Sequence, residues 1–292
     1  MIPGADSAIT RNEKSLIVAY DHGLEHGPVD FEPNPATADP DRVFEIGTHD
    51  AVTAVAVQKG IAEGYYPSYE NDVTLLAKLN GTSNLWMGEP NSAVNWSVEN
   101  AVDVGADAIG FTVYGGSNHE IEMVEEFRDA QEAARDHGLG VVMWSYPRGQ
   151  GLKNATTPST IAYSTRLGLE LGADITKVKY PGSPEAMAHA VTQAAGSKVV
   201  MSGGSKTDDQ DFLTTVRNAM DAGANGLAVG RNVFQRDNPE QILDGLEAVI
   251  FENATVAEAL DTMGVEPTNP EALYWSLTPA TTRRTTTLSS RH

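Results

Sequence analysis

Within Asp174-Ile-Thr-Lys-Val-Lys-Tyr180, Lys177 and Lys179 stand two residues apart in a short run that reads as a β-strand. At a period of two both side chains leave the same face. A lysine inside a strand is costly to bury, and a second ammonium on the same face disfavours the charged form of the first. An amine with weakened proton affinity is the nucleophile that forms an imine with a ketone. The preceding apolar run places Trp144, Tyr146 and Arg148 on one parity. Tyr146 can move a proton in such chemistry if the lysines of the neighbouring strand lower its pKa.

Two glycine-bearing segments, Ser202-Gly203-Gly204-Ser205-Lys206 and Val229-Gly230-Arg231-Asn232, follow later apolar runs. Glycines let backbone N–H groups approach phosphate oxygens, and Lys206 and Arg231 add positive charge. Near the start of the chain, Asp21 and His22 end another apolar run, with Glu25, His26 and Asp30 close behind. Asp21 suits hydrogen bonding to substrate hydroxyls or assistance to proton transfer. His22 and His26 raise the question of a metal. The spacing offers no evident third ligand, and a lysine-rich surround repels a cation, so no metal and no cofactor are expected.

These groups need a scaffold that gathers strand ends. Short apolar runs recur at Ser15–Tyr20, Ala51–Val57, Asn84–Met87 (the weakest), Ala108–Val113, Gly140–Tyr146, Asp174–Tyr180, Lys198–Ser202 and Gly226–Val229. They are mostly apolar, as strands buried on both faces should be. Helix signals lie between them at Ser97–Gly105, Glu120–Gly138, Pro158–Gly172, Ser183–Ala195 and Asp208–Gly223, with one more at Asn253–Met263. Several open on Ser, Pro or Asp and close on Gly. Gly-Ala-Asp or Gly-Ala-Asn recurs at 105–107, 172–174 and 223–225, each time before a strand. Eight alternating units imply a single-domain α/β fold, a (β/α)8 TIM barrel, over residues 1–265. Residues 266–292, rich in Ser and Thr, are expected to form an extended or mobile tail, or to dock on a partner subunit. An open doubly wound sheet would show an early glycine-rich GxGxxG, which is absent. In a barrel the strand ends share one mouth. That rule gathers Asp21, His22, Gln58, Lys59, Trp144, Tyr146, Arg148, Lys177, Lys179, Gly203, Gly204, Lys206, Gly230 and Arg231, a rim rich in cations that suits an anionic substrate.

The whole chain is acidic, with 40 Asp and Glu against 20 Lys and Arg and a formal charge of −20 over 292 residues. Such a field disfavours nucleic acid and anionic membranes as partners and suggests a salt-adapted cytoplasm. Cysteine is absent, which excludes disulfides and thiolate metal sites. No leader-like segment and no apolar run of about 20 residues stands out, so a cytoplasmic protein is expected.

The segments VAYDHGLEHGP (18–28), QKGIAEGYY (58–66), WSYPRG (144–149), GADITKVKY (172–180), MSGGSK (201–206) and AVGRNVFQ (228–235) together resemble the archaeal-type class I fructose-1,6-bisphosphate aldolases. The resemblance implies reversible cleavage of fructose 1,6-bisphosphate to dihydroxyacetone phosphate and glyceraldehyde 3-phosphate in glycolysis and gluconeogenesis. It implies Lys177 as the Schiff-base lysine, Tyr146 as proton donor, and Asp21, Trp144 and Lys179 as substrate contacts. Ser202, Gly203, Gly204, Gly230 and Arg231 would hold one phosphate, with Arg148 at the other end of the sugar. His22, His26 and Asp30 match further substrate-site positions. A homo-oligomer, pentamer or decamer, is also implied. The same superfamily contains 2-amino-3,7-dideoxy-D-threo-hept-6-ulosonate synthase, a transaldolase of aromatic biosynthesis. That branch lacks the Trp of WSYPRG and the second Lys of KVKY, although ENATVAEAL (252–260) looks a little like it. A phosphosugar-binding barrel without catalysis is a third reading, against which intact Lys177 and Tyr146 argue. Ser205 stands where the aldolase pattern usually has Pro.

Overall fold

The structure, a computed structural model, describes residues 6–269. Its eight long strands run β1 (Ser15–Ala19), β2 (Ala54–Val57), β3 (Leu75–Lys78), β4 (Ala108–Val113), β5 (Gly140–Ser145), β6 (Ile175–Val178), β7 (Lys198–Ser202) and β8 (Gly226–Val229). All are parallel, each pairs with its sequence neighbours, and β1 closes on β8 through Ser15–Gly226 to Val18–Val229. A helix follows every strand, from Pro40–Gly47 after β1 to Pro239–Ile250 after β8. The expected (β/α)8 barrel is the observed fold.

Strand alternation divides the core into two shells. One set of residues points to the barrel axis: Ile17, Ala54, Ala56, Leu76, Ala108, Val142, Trp144, Ile175, Val200 and Ala228, with Ile9 of the N-terminal segment packed among them. The opposite set packs under the helices. At period two the inward column of each strand continues toward its C-terminal end. The columns therefore reach the mouth as Asp21, Lys78, Tyr146, Lys177 and Ser202.

The recurrent Gly-Ala-Asp/Asn phrase has a physical reason. Each acidic or amide side chain accepts a hydrogen bond from a backbone N–H beside the strand before it. Asp107 Oδ2 takes Leu75 N at 2.9 Å, Asp174 Oδ2 takes Val141 N at 2.9 Å, and Asn225 Oδ1 takes Val199 N at 3.0 Å. The helix starts read from sequence also hold, since the side chains of Ser97, Thr157, Ser183 and Asp208 accept N-cap bonds.

One strand expectation fails. The third barrel strand is Leu75–Lys78, paired to Val55–Val57 and to Ala108–Gly110, not Asn84–Met87. Leu85 and Met87 are more than nine-tenths exposed. Leu-Leu-Ala-Lys has no β-branched residue and ends on a charge, so local propensity reads it as helix; burial on both faces decides otherwise. The helices Pro40–Gly47, Lys59–Tyr65 and Pro239–Ile250 were not anticipated either. Of the expected tail, residues 270–292 lie outside the described residues. Asn269 is held by Gln210, whose Nε2 donates to its carbonyl at 2.8 Å.

Candidate active site

A cavity of about 430 Å³ opens at the C-terminal mouth of the barrel. Of the residues expected at the site, it is lined by Lys177, Tyr146, Asp21, His22, His26, Trp144, Arg148, Lys179, Ser202, Gly203, Gly204, Gly230 and Arg231. Asp30 stands behind this lining, with its carboxylate 2.6 Å from His26 Nδ1.

Lys177 lies on β6 between Trp144 of β5 and Val200 of β7 in register. Its Nζ is 4.7 Å from the Trp144 ring centre and 6.0 Å from that of Tyr146. Burial pushes its pKa down to about 8; Asp21 and Glu25 oppose the shift and Lys78 adds to it. The lysine is therefore the amine of weakened proton affinity that imine formation needs, but for a different reason from the one its spacing suggested. Lys179 is not the ammonium that bears on it. Lys179 stands 5.9 Å from the Tyr146 ring centre, and burial and then Arg148 lower its own pKa.

Tyr146 also differs from expectation. Burial, with Asp21 and Glu25, holds its phenol well above the ordinary pKa, and Arg148 and the Ser202 hydroxyl only partly offset this. No lysine of β6 lowers it. A phenol so placed is suited to keep its proton until a strong base takes it. Arg148 lies 5.1 Å from the Tyr114 ring centre and lines the same cavity.

Asp21 is buried, which alone would raise its pKa; Lys177, His22 and Lys78 outweigh burial and keep it ionised below the usual range. Glu25, in the same helical turn, moves the other way, raised by burial and by Asp21. Lys78, at the end of β3, is the residue that sequence reasoning missed. It is fully buried, its Nζ donates to Asn80 O at 2.5 Å and Oδ1 at 3.1 Å, and it lies 3.7 Å from Glu25 Oε1. Placing β3 correctly would have put it at a strand end and so at the mouth.

Three residues gathered by the strand-end rule turn elsewhere. Lys59 pairs with Glu63 at 3.4 Å, Lys206 donates to Gln235 O at 2.8 Å, and Gln58 donates to Asn80 O at 3.0 Å. None of the three lines the cavity.

The two glycine segments are tied together by Asn232. Its Nδ2 donates to Gly203 O and Ser205 O at 2.8 Å each, and its Oδ1 accepts from Thr207 N at 3.0 Å. A Cβ on Gly230 would run into the His22 ring and the Ala19 carbonyl, and Gly204 adopts φ +69°. Glycine is therefore required at position 230 and favoured at 204.

Asp30 supplies the third group that spacing did not reveal. The ligand atoms of His22, His26 and Asp30 lie within 4.8 Å of one another, close enough to surround an ion. Arg231 Nε stands 4.0 Å from Asp30, and burial keeps His22 neutral with a pKa of about 4. The cluster is thus a carboxylate shared between a histidine and an arginine, with a neutral imidazole beside it. That donor set fits hydroxyl and phosphate oxygens as well as it fits a cation.

The chain can be compared with known proteins at this point. A family model described as DeoC/LacD family aldolase matches residues 15–236. Fructose-bisphosphate aldolase class 1 of Halobacterium salinarum is 72% identical over 260 residues, covering 89% of this chain and 99% of that protein. The 2-amino-3,7-dideoxy-D-threo-hept-6-ulosonate synthase 1 of Archaeoglobus fulgidus is 33% identical over 258 residues, covering 88% and 94% respectively. Among solved structures, an archaeal fructose-1,6-bisphosphate aldolase with its catalytic lysine bound to the carbinolamine intermediate superposes with a TM-score of 0.81. It shares 44% identity, over 84% of this chain and 97% of that one.

Proposed function

The chain belongs to the DeoC/LacD aldolase family, and from that premise we propose that it is a class I fructose-1,6-bisphosphate aldolase with Lys177 as its nucleophile. The observation that carries this reading is Lys177 itself: a buried amine with a pKa of about 8 at the mouth of the barrel, against Trp144 and near Tyr146. High identity to a class 1 fructose-bisphosphate aldolase supports the substrate.

The Lys177 amine attacks the C2 carbonyl, and loss of water leaves a protonated imine. This is the electron sink for the C3–C4 bond. As the bond breaks, a base takes the C4 hydroxyl proton and the aldehyde product departs. Asp21, held as a carboxylate, suits that base. Tyr146 protonates the enamine carbon, and water releases dihydroxyacetone phosphate. The Ser202–Gly204 and Gly230–Arg231 segments are placed to bind one phosphate, and Arg148 with Lys179 the other. His22, His26, Asp30 and Trp144 complete the substrate contacts. This mechanism assigns no step to a metal.

Dihydroxyacetone phosphate with borohydride should add one reduced substrate to the peptide carrying Lys177 and abolish turnover, while EDTA should leave cleavage unchanged. Complete loss in EDTA without labelling would overturn the imine mechanism. The transaldolase reading has weaker support, 33% identity against 72%, and a product assay run in parallel separates the two.

A homo-oligomer, pentamer or decamer, belongs to the same proposal and is supported by the exposed run Leu85-Trp86-Met87. Light scattering at working concentration checks it. A cytoplasmic setting fits a sugar-phosphate enzyme in which no helix among the described residues is long and apolar enough to cross a membrane.

A further inference from the structure

Arg148 reaches the mouth from a segment, 146–152, that belongs to no helix or strand. A long guanidinium side chain on such a segment is placed only as well as its backbone is held. On the near side that hold is Arg148 N, which donates to Gly115 O at 3.1 Å, with the guanidinium over the Tyr114 ring.

On the far side the hold is Glu89. Its Oε1 accepts from Gln150 N at 3.1 Å and from Asn118 N at 3.0 Å, so one carboxylate oxygen joins the loops that follow β4 and β5. A Cβ built on Gly149 would stand 2.7 Å from the same oxygen, which shows how closely the carboxylate packs on the peptide after Arg148. Beside it the Ser117 hydroxyl donates to Pro90 O. Glu89 stands in the loop after β3, which is closed by the antiparallel pairing of Asn80–Gly81 with Ala93–Val94. It does not line the cavity. An ionised acceptor holds a backbone N–H about twice as strongly as a neutral one, and here it is set two residues from the arginine assigned to the distal phosphate.

We propose that Glu89 is a positioning residue for Arg148 and thereby sets the preference for a sugar with a second, distal phosphate. A guanidinium must meet phosphate oxygens in a fixed geometry, and a displacement of about 1 Å can cost ~10²-fold in rate. A sugar without the distal phosphate is indifferent to where Arg148 stands. This inference rests on the distal-phosphate reading of Arg148.

The test is kcat and KM of the full-length enzyme on fructose 1,6-bisphosphate and on fructose 1-phosphate, for single and double variants. Glu89→Ala and Glu89→Asp should lower the kcat/KM ratio of bisphosphate to monophosphate by ~10-fold, chiefly through KM for the bisphosphate. Glu89→Gln keeps an acceptor oxygen in place and should hold that ratio within ~3-fold of wild type. In the Arg148→Ala background, Glu89→Ala should leave the ratio where Arg148→Ala puts it, because a residue acting through another adds nothing once that one is gone. An unchanged ratio in Glu89→Ala and Glu89→Asp, including equal losses on the two sugars as a weakened fold gives, would overturn the proposal. So would a selective loss that adds in full to that of Arg148→Ala. Equal losses on the two sugars in Arg148→Ala itself would instead refute the distal-phosphate reading on which the inference stands.

Discussion

Trp144 and Lys177 are register partners on β5 and β6, and the Lys177 ammonium lies 4.7 Å from the centre of the Trp144 ring. Lys78 approaches the same ring to 5.6 Å. An indole face attracts an ammonium by roughly 0.5–2 kcal/mol, less than burial takes away in hydration. The charge of Lys177 is therefore tolerated rather than favoured, which leaves the amine available near neutral pH.

That balance gives a pH dependence. With a Lys177 pKa of about 8, the free amine falls tenfold per pH unit below 8 and saturates above it. The kcat/KM for cleavage should rise with unit slope and level off near pH 8. Asp21, Glu25 and Lys78 are the charged groups that bear on Lys177. Lys78→Met removes the one cation among them, so the midpoint should move upward. A midpoint that stays in place or moves down in this variant would show that Lys78 does not act on Lys177. Folded Lys177 binds its proton less tightly than the unfolded lysine, whose ordinary pKa is 10.5. Its destabilising contribution is thus complete below about 8 and disappears as pH rises to the unfolded value.

Tyr146→Phe should lower turnover by ~10²–10⁴-fold. The phenol holds its proton tightly, which suits the proposed donor role better than that of a base that frees Lys177. Near-normal steady-state turnover would reduce Tyr146 to packing.

Arg148→Ala should discriminate between sugars. A bisphosphate needs an anion site at each end, and Arg148 lies beside Lys179, whose pKa it helps lower, in the cavity that the two glycine segments also line. A charge-assisted hydrogen bond contributes ~1.5–3 kcal/mol, so kcat/KM for fructose 1,6-bisphosphate should fall roughly 10- to 150-fold more than for fructose 1-phosphate. Equal losses on the two sugars would take Arg148 out of the distal-phosphate role.

Salt should stabilise the protein. Forty acidic residues against 20 basic ones repel one another across a net charge of −20. Screening shortens the reach of that repulsion from ~10 Å at 0.1 M salt to ~3 Å at 1 M. Tm and activity should rise into the molar range of potassium chloride. A melting temperature that is flat or falling over that range would refute adaptation to brine.

The sequence by itself determined the barrel, because short apolar runs, helix caps and the Gly-Ala-Asp/Asn phrase are local signals that repeat. It also marked Lys177, Tyr146 and the glycine segments, because strand-end chemistry has a fixed address in this fold. Tertiary structure decided what local signals do not encode. Leu75–Lys78 is a strand because its neighbours bury it on both sides, and with that strand comes Lys78 at the mouth. Asp30 joins His26 and approaches Arg231 across 201 positions of chain. The spacing of Lys177 and Lys179 suggested mutual repulsion, yet burial is the main cause of each shift, and the second cation is Lys78 for one and Arg148 for the other. Proton affinity depends on desolvation and on charges brought in from other strands, and neither exists until the barrel closes.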